Sequence, residues 1–332
     1  MLELSFILFV GFLLDLIIGD PTYPYHPIRI IGRGISGLEG GLRKHDLDGR
    51  CGGILLLLGM ECLTLIIYIP IVFLLKYIHP ILAGCFNLFI FYSCVALKDL
   101  FHHMEPVVAA LRLDNLPEAR KLLAKVVGRD THILDKPGII RAAIETVSEN
   151  FVDGVLSPLF WFLAGALSAF FLKLDPAPVA LSLMLTTKVA STLDSMVGYK
   201  NPAYLRFGWA GAKVDDIMTF IPARLSLAIL FLGAWVSGLH PVTGLRTALR
   251  DRLKHDSPNA AHAESFVAGA LNVRLGGPTQ YPEGVKNKPW LGEEYPDPDI
   301  DQIQLTERLV RTSAWIFVLV MEGTLVATVI CR

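Results

Sequence analysis

Apolar runs of membrane length alternate with polar stretches along the whole chain. Residues 54–75 are the clearest run, interrupted only by Glu61 and by Pro70 near its end, and they supply the ~20 apolar residues that a bilayer-crossing helix needs. Residues 81–97 follow after a short turn at 76–80, so the pair reads as a hairpin across the membrane. Residues 4–18 are shorter and carry Asp15. They are expected to tilt, to start at the interface or to pack inside a bundle, as a retained helix: no basic region precedes the run and no small-residue cleavage site follows. Further apolar helices are predicted at 157–172, 177–196 and 225–236, and in the second half of 301–332, which carries Glu322. Ser157 before Pro158 and Asp175 before Pro176 have the cap-then-proline form of a helix start.

Between these runs the pattern turns polar. In GDPTYPYHPIRIIGRGISGLE, Pro21, Pro24 and Pro27 argue for a structured loop that gathers Gly19, Asp20, His26 and Arg29 at a membrane boundary. Residues 32–37 spell G-x-G-x-x-G, but no strand precedes them, so a dinucleotide fingerprint is rejected. Residues 98–153 form a polar helical insertion. In it Asp114, Pro117 and Glu118 mark one helix start, and Asp135 with Pro137 marks another. Residues 239–311 hold a basic amphipathic segment after His240-Pro241, a helix capped by Ser257-Pro258, and a loop at 276–298 too rich in Gly and Pro for regular structure. The expected fold is all-α, a polytopic membrane helical bundle with interfacial or cytoplasmic amphipathic helices and loops. It is read as one membrane-embedded domain over 1–332, multi-pass in the inner cell membrane, with the polar segments facing the cytoplasm.

Composition supports this class: hydrophobic residues make up 53% and charged residues 18%, with a mean hydropathy of +0.50. The net charge of -1 gives no basic field for nucleic acid. Cys62, Cys85 and Cys94 lie in apolar runs, while Cys51 and Cys331 stand alone. Without C-x-x-C spacing they read as small buried apolar groups.

Charge changes the picture. At membrane depth one charged side chain costs at least ~2.5 kcal/mol, so it marks function by default. The stretch 186–224 carries Lys188, Asp194, Lys200, Lys213, Asp215, Asp216 and Arg224. Lys188, Ser191, Thr192 and Ser195 form one polar helical stripe suited to lining a cavity, and Lys213 and Asp216 share a face. Upstream, Glu145, Glu149 and Asp153 recur every four residues, where like charges repel by ~0.2–0.5 kcal/mol per pair. Either this is a solvated acidic face or a Mg²⁺ ion or an ammonium sits over it. The two stretches are expected to face each other across one membrane-edge pocket. The adjacent His102 and His103 point to different helix faces, so with Glu105 they read as a solvated or interfacial cluster rather than as metal ligands. Signatures of P-loop, nucleophilic-elbow and zinc chemistry are missing. The remaining inventory suits polyphosphate held through Mg²⁺, with lysines and an arginine offsetting charge on a transferring phosphoryl group.

The order of GDP with a following HP, ETVSENFVDGVLSP, TTKVASTLDSMVGYK, AKVDD with IPARL, SPNA and AGALNVRLGGP, over residues 19–278, resembles the adenosylcobinamide-phosphate synthase family. The resemblance implies an ATP- and Mg²⁺-dependent ligase that joins a propionate of the corrinoid adenosylcobyric acid to aminopropanol phosphate or a related amino alcohol. It also implies contact with membrane lipid and leaves room for a complex with other enzymes of late cobalamin biosynthesis. On the chemistry of the inventory, Glu149, Asp153, Asp215 and Asp216 are the candidate Mg²⁺ ligands. Lys213, Asp215, Asp216, Lys188 and Arg224 are the candidate catalytic groups. His26, Arg29, Glu145, Asn150, Asp194, Lys200, Ser257 and Asn259 are the candidate substrate contacts. Ala261, His262 and Ala263 stand where the family pattern has a glycine and a Trp-Pro pair, and Asn272 where it has glycine; these departures put the identity of the amine in doubt. A transporter of a small anionic or corrinoid solute, or a regulatory branch linked to β-lactamase induction, remains the alternative.

Overall fold

Among the described residues, five helical stretches are long and apolar enough to cross a membrane: Arg50–Ile78, Pro80–Arg112, Lys136–Leu172, Trp209–Val236 and Ile300–Ile330. The protein is an all-α, multi-pass membrane bundle. The computed structural model describes all residues except Thr22, Pro282, Glu283, Cys331 and Arg332; the side chains of Gln280, Tyr281, Val285 and Lys286 also stand outside the description. The lone Cys331 therefore lies outside the described residues.

In chain order the first helices are α1 (Leu2–Ile18), α2 (Pro27–Lys44), α3 (Arg50–Ile78), α4 (Pro80–Tyr92), α5 (Leu97–Arg112) and α6 (Leu116–Leu123). Next come α7 (Lys136–Phe151), a π-helical turn (Val152–Leu156), α8 (Ser157–Leu172), α9 (Pro176–Val197) and α10 (Trp209–Val236). The rest is α11 (Pro241–Asp251), α12 (Ala260–Leu271), four short strands and α13 (Ile300–Ile330). The strands pair antiparallel, β1 (Leu275–Gly276) with β4 (Trp290–Leu291) and β2 (Thr279–Tyr281) with β3 (Gly284–Lys286).

The chain divides into two compact units: Met1–Ala96, Ser157–Thr219 and Val318–Arg332 form the first, and Leu97–Leu156 with Phe220–Phe317 the second. In the first unit, α2, α3 and α9 bury a core of Ile31, Ile35, Leu56, Met60, Val189, Leu193 and Phe207. On α3, Leu55, Leu58, Ile66, Ile67 and Leu74 are exposed, the side a bilayer would cover. A Cβ on Gly165 would stand 2.7 Å from the Ala180 backbone, so glycine there lets α8 and α9 touch main chain to main chain. Ser5 on α1 donates a hydrogen bond to Glu322 on α13, 317 residues away. In the second unit α11 and α12 pack together. All of α12 is buried, from Ala260 to Leu271.

Several boundaries differ from the sequence reading. Pro27 occupies the first helical turn of α2, where its missing N–H costs nothing, so a helix replaces most of the expected loop. The G-x-G-x-x-G run lies inside that helix. Pro222 is absorbed within the single 28-residue α10, replacing the short helix expected at 225–236. Ser157 is not a cap: the π turn leads from α7 into α8, and the buried Ser157 hydroxyl has no hydrogen-bond partner. Asn259 precedes α12 in place of Ser257, and Asn115, not Asp114, caps α6 by accepting from Glu118 N–H at 3.2 Å. The 276–298 loop contains regular pairing, made feasible by Gly276 at φ +74°. Cys94 is buried as expected, but Cys62 and Cys85 are exposed on their helices.

Candidate functional site

The first unit carries the lysine-rich half of the inventory. Lys213 Nζ lies 3.1 Å from Asp216 Oδ2, the pairing that a three-residue helical spacing permits. Asp194, half-buried on α9, is flanked by Asp216 and Lys200. Lys188 is half-buried beside the Cys94 thiol, and Thr192 Oγ1 donates to its carbonyl at 2.6 Å. Asp215 is half-buried, and Lys200 is exposed. At the turn after α1, the buried His26 places Nε2 2.9 Å from Asp20 Oδ1, with Tyr23 edge-on to its ring at 5.5 Å. Arg29 is exposed.

The second unit holds the acidic stripe, but the structure breaks it up. Asp153 falls in the π turn, which has more residues per turn, so the four-residue spacing that aligned it with Glu145 and Glu149 no longer holds there. Asn150 is exposed and Asp153 half-buried. Glu145 is neutralised within the protein: Arg129 pairs with Oε2, and the Gly276 N–H donates to Oε1 at 2.7 Å. Glu149 instead neighbours Glu264 of α12. Glu264 is 6% exposed, and burial together with Glu149 and Glu145 pushes its carboxyl well above the usual range despite nearby Lys288 and Arg129. Among the described residues no three His, Cys, Asp or Glu side chains are gathered closely enough to hold a metal by themselves. The four expected ligands are divided between the units, Glu149 and Asp153 in the second and Asp215 and Asp216 in the first.

A cationic cluster lies in the same unit. Arg224 Nη1 donates to the Phe220 carbonyl at 2.7 Å and to Asn259 Oδ1 at 3.3 Å. The Asn259 N–H donates to Ser257 Oγ at 3.3 Å. Arg252 and the buried His262 complete the cluster: burial and then the two guanidiniums hold the imidazole down to about 4. The surrounding loop is fixed by Asp251, which accepts from Arg250 and from Gly292 N–H at 2.9 Å, and by Trp290 beneath Arg141 and Arg274. Arg141 and Arg274 both pair with Asp297.

The residues that sequence reasoning missed are Arg129, Arg252, His262 and Glu264. For the last two a signal existed. AAHAESFVAGAL is too apolar to have a solvated side, so its His and Glu had to be buried, and buried titratable groups need a purpose or a partner.

With this geometry described, likeness to known proteins becomes decisive. A family model described as CobD/Cbib protein matches residues 8–310. The chain belongs to the CobD/CbiB family. It is 40% identical over 291 residues to "Cobalamin biosynthesis protein CobD" of Pelobacter propionicus, covering 86% of this chain and 84% of the relative. It is 38% identical over 304 residues to the protein of the same name from Desulfotalea psychrophila, covering 91% and 92%. It is also 38% identical over 304 residues to "Cobalamin biosynthesis protein CbiB" of Salmonella typhimurium, covering 91% of both chains. No solved structure matches the chain. Membership of the CobD/CbiB family places the protein among the cobalamin biosynthesis proteins. The resemblance read from the motifs at 19–278 is the same family.

Proposed function

We propose that this CobD/CbiB protein is an ATP- and Mg²⁺-dependent ligase. It forms an amide between a propionate of adenosylcobyric acid and aminopropanol phosphate, or a related amino alcohol, giving adenosylcobinamide phosphate. The observation that carries the reading is the buried carboxyl group of Glu264 against Glu149 and Glu145 in a CobD/CbiB chain. Glu149 and Glu145 both act on the buried Glu264 carboxyl, with Arg129 and Lys288 opposing them, and a divalent cation would relieve the repulsion between Glu149 and Glu264.

The donor set fits Mg²⁺, which needs only one or two carboxylates and takes its other oxygens from water and phosphate. Glu149 and Glu264 would hold it, with Asp153 as a further candidate in the same unit; Asp215 and Asp216 belong to the other unit and stand as candidate catalytic carboxylates. Bound there, the ion supplies charge to bind and orient polyphosphate. A carboxylate oxygen of the corrinoid attacks the terminal phosphorus of ATP and ADP leaves; the amine nitrogen then attacks the acyl carbon and phosphate leaves. Lys188, Lys213 and Arg224 are cations suited to phosphate oxygens, whose charge rises as the phosphoryl group transfers. His26, Arg29, Asn150, Asp194, Lys200, Ser257 and Asn259 are the candidate contacts to the remaining polar groups.

The test is a direct product assay. Membranes containing the chain, given adenosylcobyric acid, aminopropanol phosphate, ATP and Mg²⁺, are expected to yield the amide mass, and Glu149→Gln to raise the Mg²⁺ requirement. Uptake of corrinoid without a new covalent product would overturn the ligase reading in favour of transport.

A further inference from the structure

Beside the turn between α3 and α4 is a small cavity that the ligase reading does not use. Lys76 in the last turn of α3, Asn87 on α4, Asp175 at the start of α9 and Glu3 in the first turn of α1 line it, together with Val72 and Phe73. All of them belong to the first unit. The stretches that hold α3 and α4 are long and apolar enough to cross a membrane, so the cavity lies where the chain turns back at the bilayer boundary.

Its polar groups are only partly used. Lys76 pairs with Asp175 Oδ2, and Asp175 makes no side-chain cap to α9. Among the described residues Glu3 has no ion pair. Two carboxylates against one ammonium leave the cavity one negative charge in excess, which calls for a cation. Asn87 calls for the opposite. It is 2% exposed, and its Oδ1 accepts from the Tyr68 hydroxyl at 3.0 Å, but among the described residues nothing accepts from its NH2 group. A buried donor left unpaired is costly, so this amide suits a ligand oxygen. The first turns of α4 and α9 also line the cavity, and positive helix ends favour an anionic oxygen. Phe73 is both part of the lining and exposed; Ile69 and Ile66, one and two turns back on α3, are exposed along the same face. A ligand seated here continues onto an apolar track.

We propose that this cavity binds the headgroup of a phospholipid that ends in a primary ammonium. The ammonium sits between Glu3 and Asp175, the phosphate oxygens take Lys76 and the Asn87 NH2 group, and an acyl chain follows Phe73, Ile69 and Ile66. A primary ammonium has three N–H donors for carboxylate oxygens. A quaternary one has none and is recognised by aromatic cages, whereas Phe73 is the single aromatic residue in the described lining. An anionic headgroup without a cation would add to the excess negative charge.

The test is native mass spectrometry of the full chain in detergent supplied with equal amounts of phosphatidylethanolamine, phosphatidylcholine and phosphatidylglycerol. Phosphatidylethanolamine is expected on the chain at least about fivefold over either of the others. N,N-dimethyl-phosphatidylethanolamine keeps the charge but has one N–H, and is expected to fall between phosphatidylethanolamine and phosphatidylcholine. The double variant Glu3→Gln, Asp175→Asn is expected to bring phosphatidylethanolamine within about twofold of phosphatidylcholine. Because Asp175→Asn also loosens Lys76, Glu3→Gln alone, a change at an exposed position, provides the second check, and it is expected to lower the preference by at least about twofold. Equal binding of the three lipids by the unmodified chain, or a preference unchanged in the double variant, overturns the proposal. Free O-phosphoethanolamine carries the same two groups without acyl chains. Its failure to displace the lipid supports the lipid as ligand; displacement at equal concentration would assign the cavity to a soluble amino-alcohol phosphate and overturn it.

Discussion

The backbone N–H of Gly276 donates to Glu145 Oε1 at 2.7 Å, tying the first short strand to the middle of α7 through a single carboxylate. Arg129 holds the other oxygen, so both sides of a group only 4% exposed are satisfied. Removing the cation alone leaves a buried charge. Arg129→Met is therefore expected to cost about 3–5 kcal/mol, and the double variant Arg129→Met, Glu145→Leu to recover much of it. Urea unfolding of the detergent-solubilised chain measures both. A double variant as unstable as the single would show that the pair does not act as a unit.

Asp251 supplies a pH dependence. Burial raises its pKa, but Arg250, the Gly292 N–H and Lys254 more than compensate and bring it down to about 2, below the ordinary 3.8. A carboxylate depressed on folding adds stability that is present above its unfolded value and is lost as pH falls through its folded one. The contribution of about 2 kcal/mol should be constant from pH 5 to 8, shrink below about pH 4 and vanish near 2. Unfolding of Asp251→Asn against the parent across this range gives the difference curve, and a gap unchanged down to pH 2 would contradict the assignment.

Lys213 and Asp216 make an ion pair whose lysine is 56% exposed. Exposed helical pairs contribute only ~0.3–0.5 kcal/mol, so Asp216→Asn should hardly move stability. If the pair belongs to the ligase site, turnover should still fall by about 100-fold, the scale on which removal of one charged transition-state contact is felt. Normal turnover in both Asp215→Asn and Asp216→Asn would remove them from the site.

Asn272 closes α12 at φ 53° in the left-handed conformation. Glycine and asparagine are the residues that take this position readily, so the departure from the family's glycine is conformationally conservative. Asn272→Gly should be neutral within about 0.5 kcal/mol, while Asn272→Ala should cost about 1 kcal/mol. Thermal unfolding of the two variants tests the point.

How much was legible in sequence follows from the range over which each signal acts. The α3–α4 hairpin and the start of α7 at Asp135 depend on local composition and capping, and they were readable. The run of α10 through Pro222 was not, because packing along a long helix tolerates a break that local rules assign to proline. The π turn at 152–156 left no compositional mark, and it undid the spacing argument for Asp153. Glu145 and Glu149 were found as carboxylates in an apolar setting. Their partners Arg129 and Glu264 lie 16 and more than 100 positions away, beyond the reach of periodicity.

The hydrogen bond from Ser5 to Glu322 bears on how the chain is made. The first unit draws on the opening helices and on residues from Val318 onward, so it cannot close until the second half of α13 has been made. During insertion α1 must wait in the bilayer with a polar group unsatisfied while some 300 residues emerge. A ribosome-stalled chain lacking α13 should therefore expose the Ser5 face of α1, making that face a target for quality-control proteases until the last helix docks.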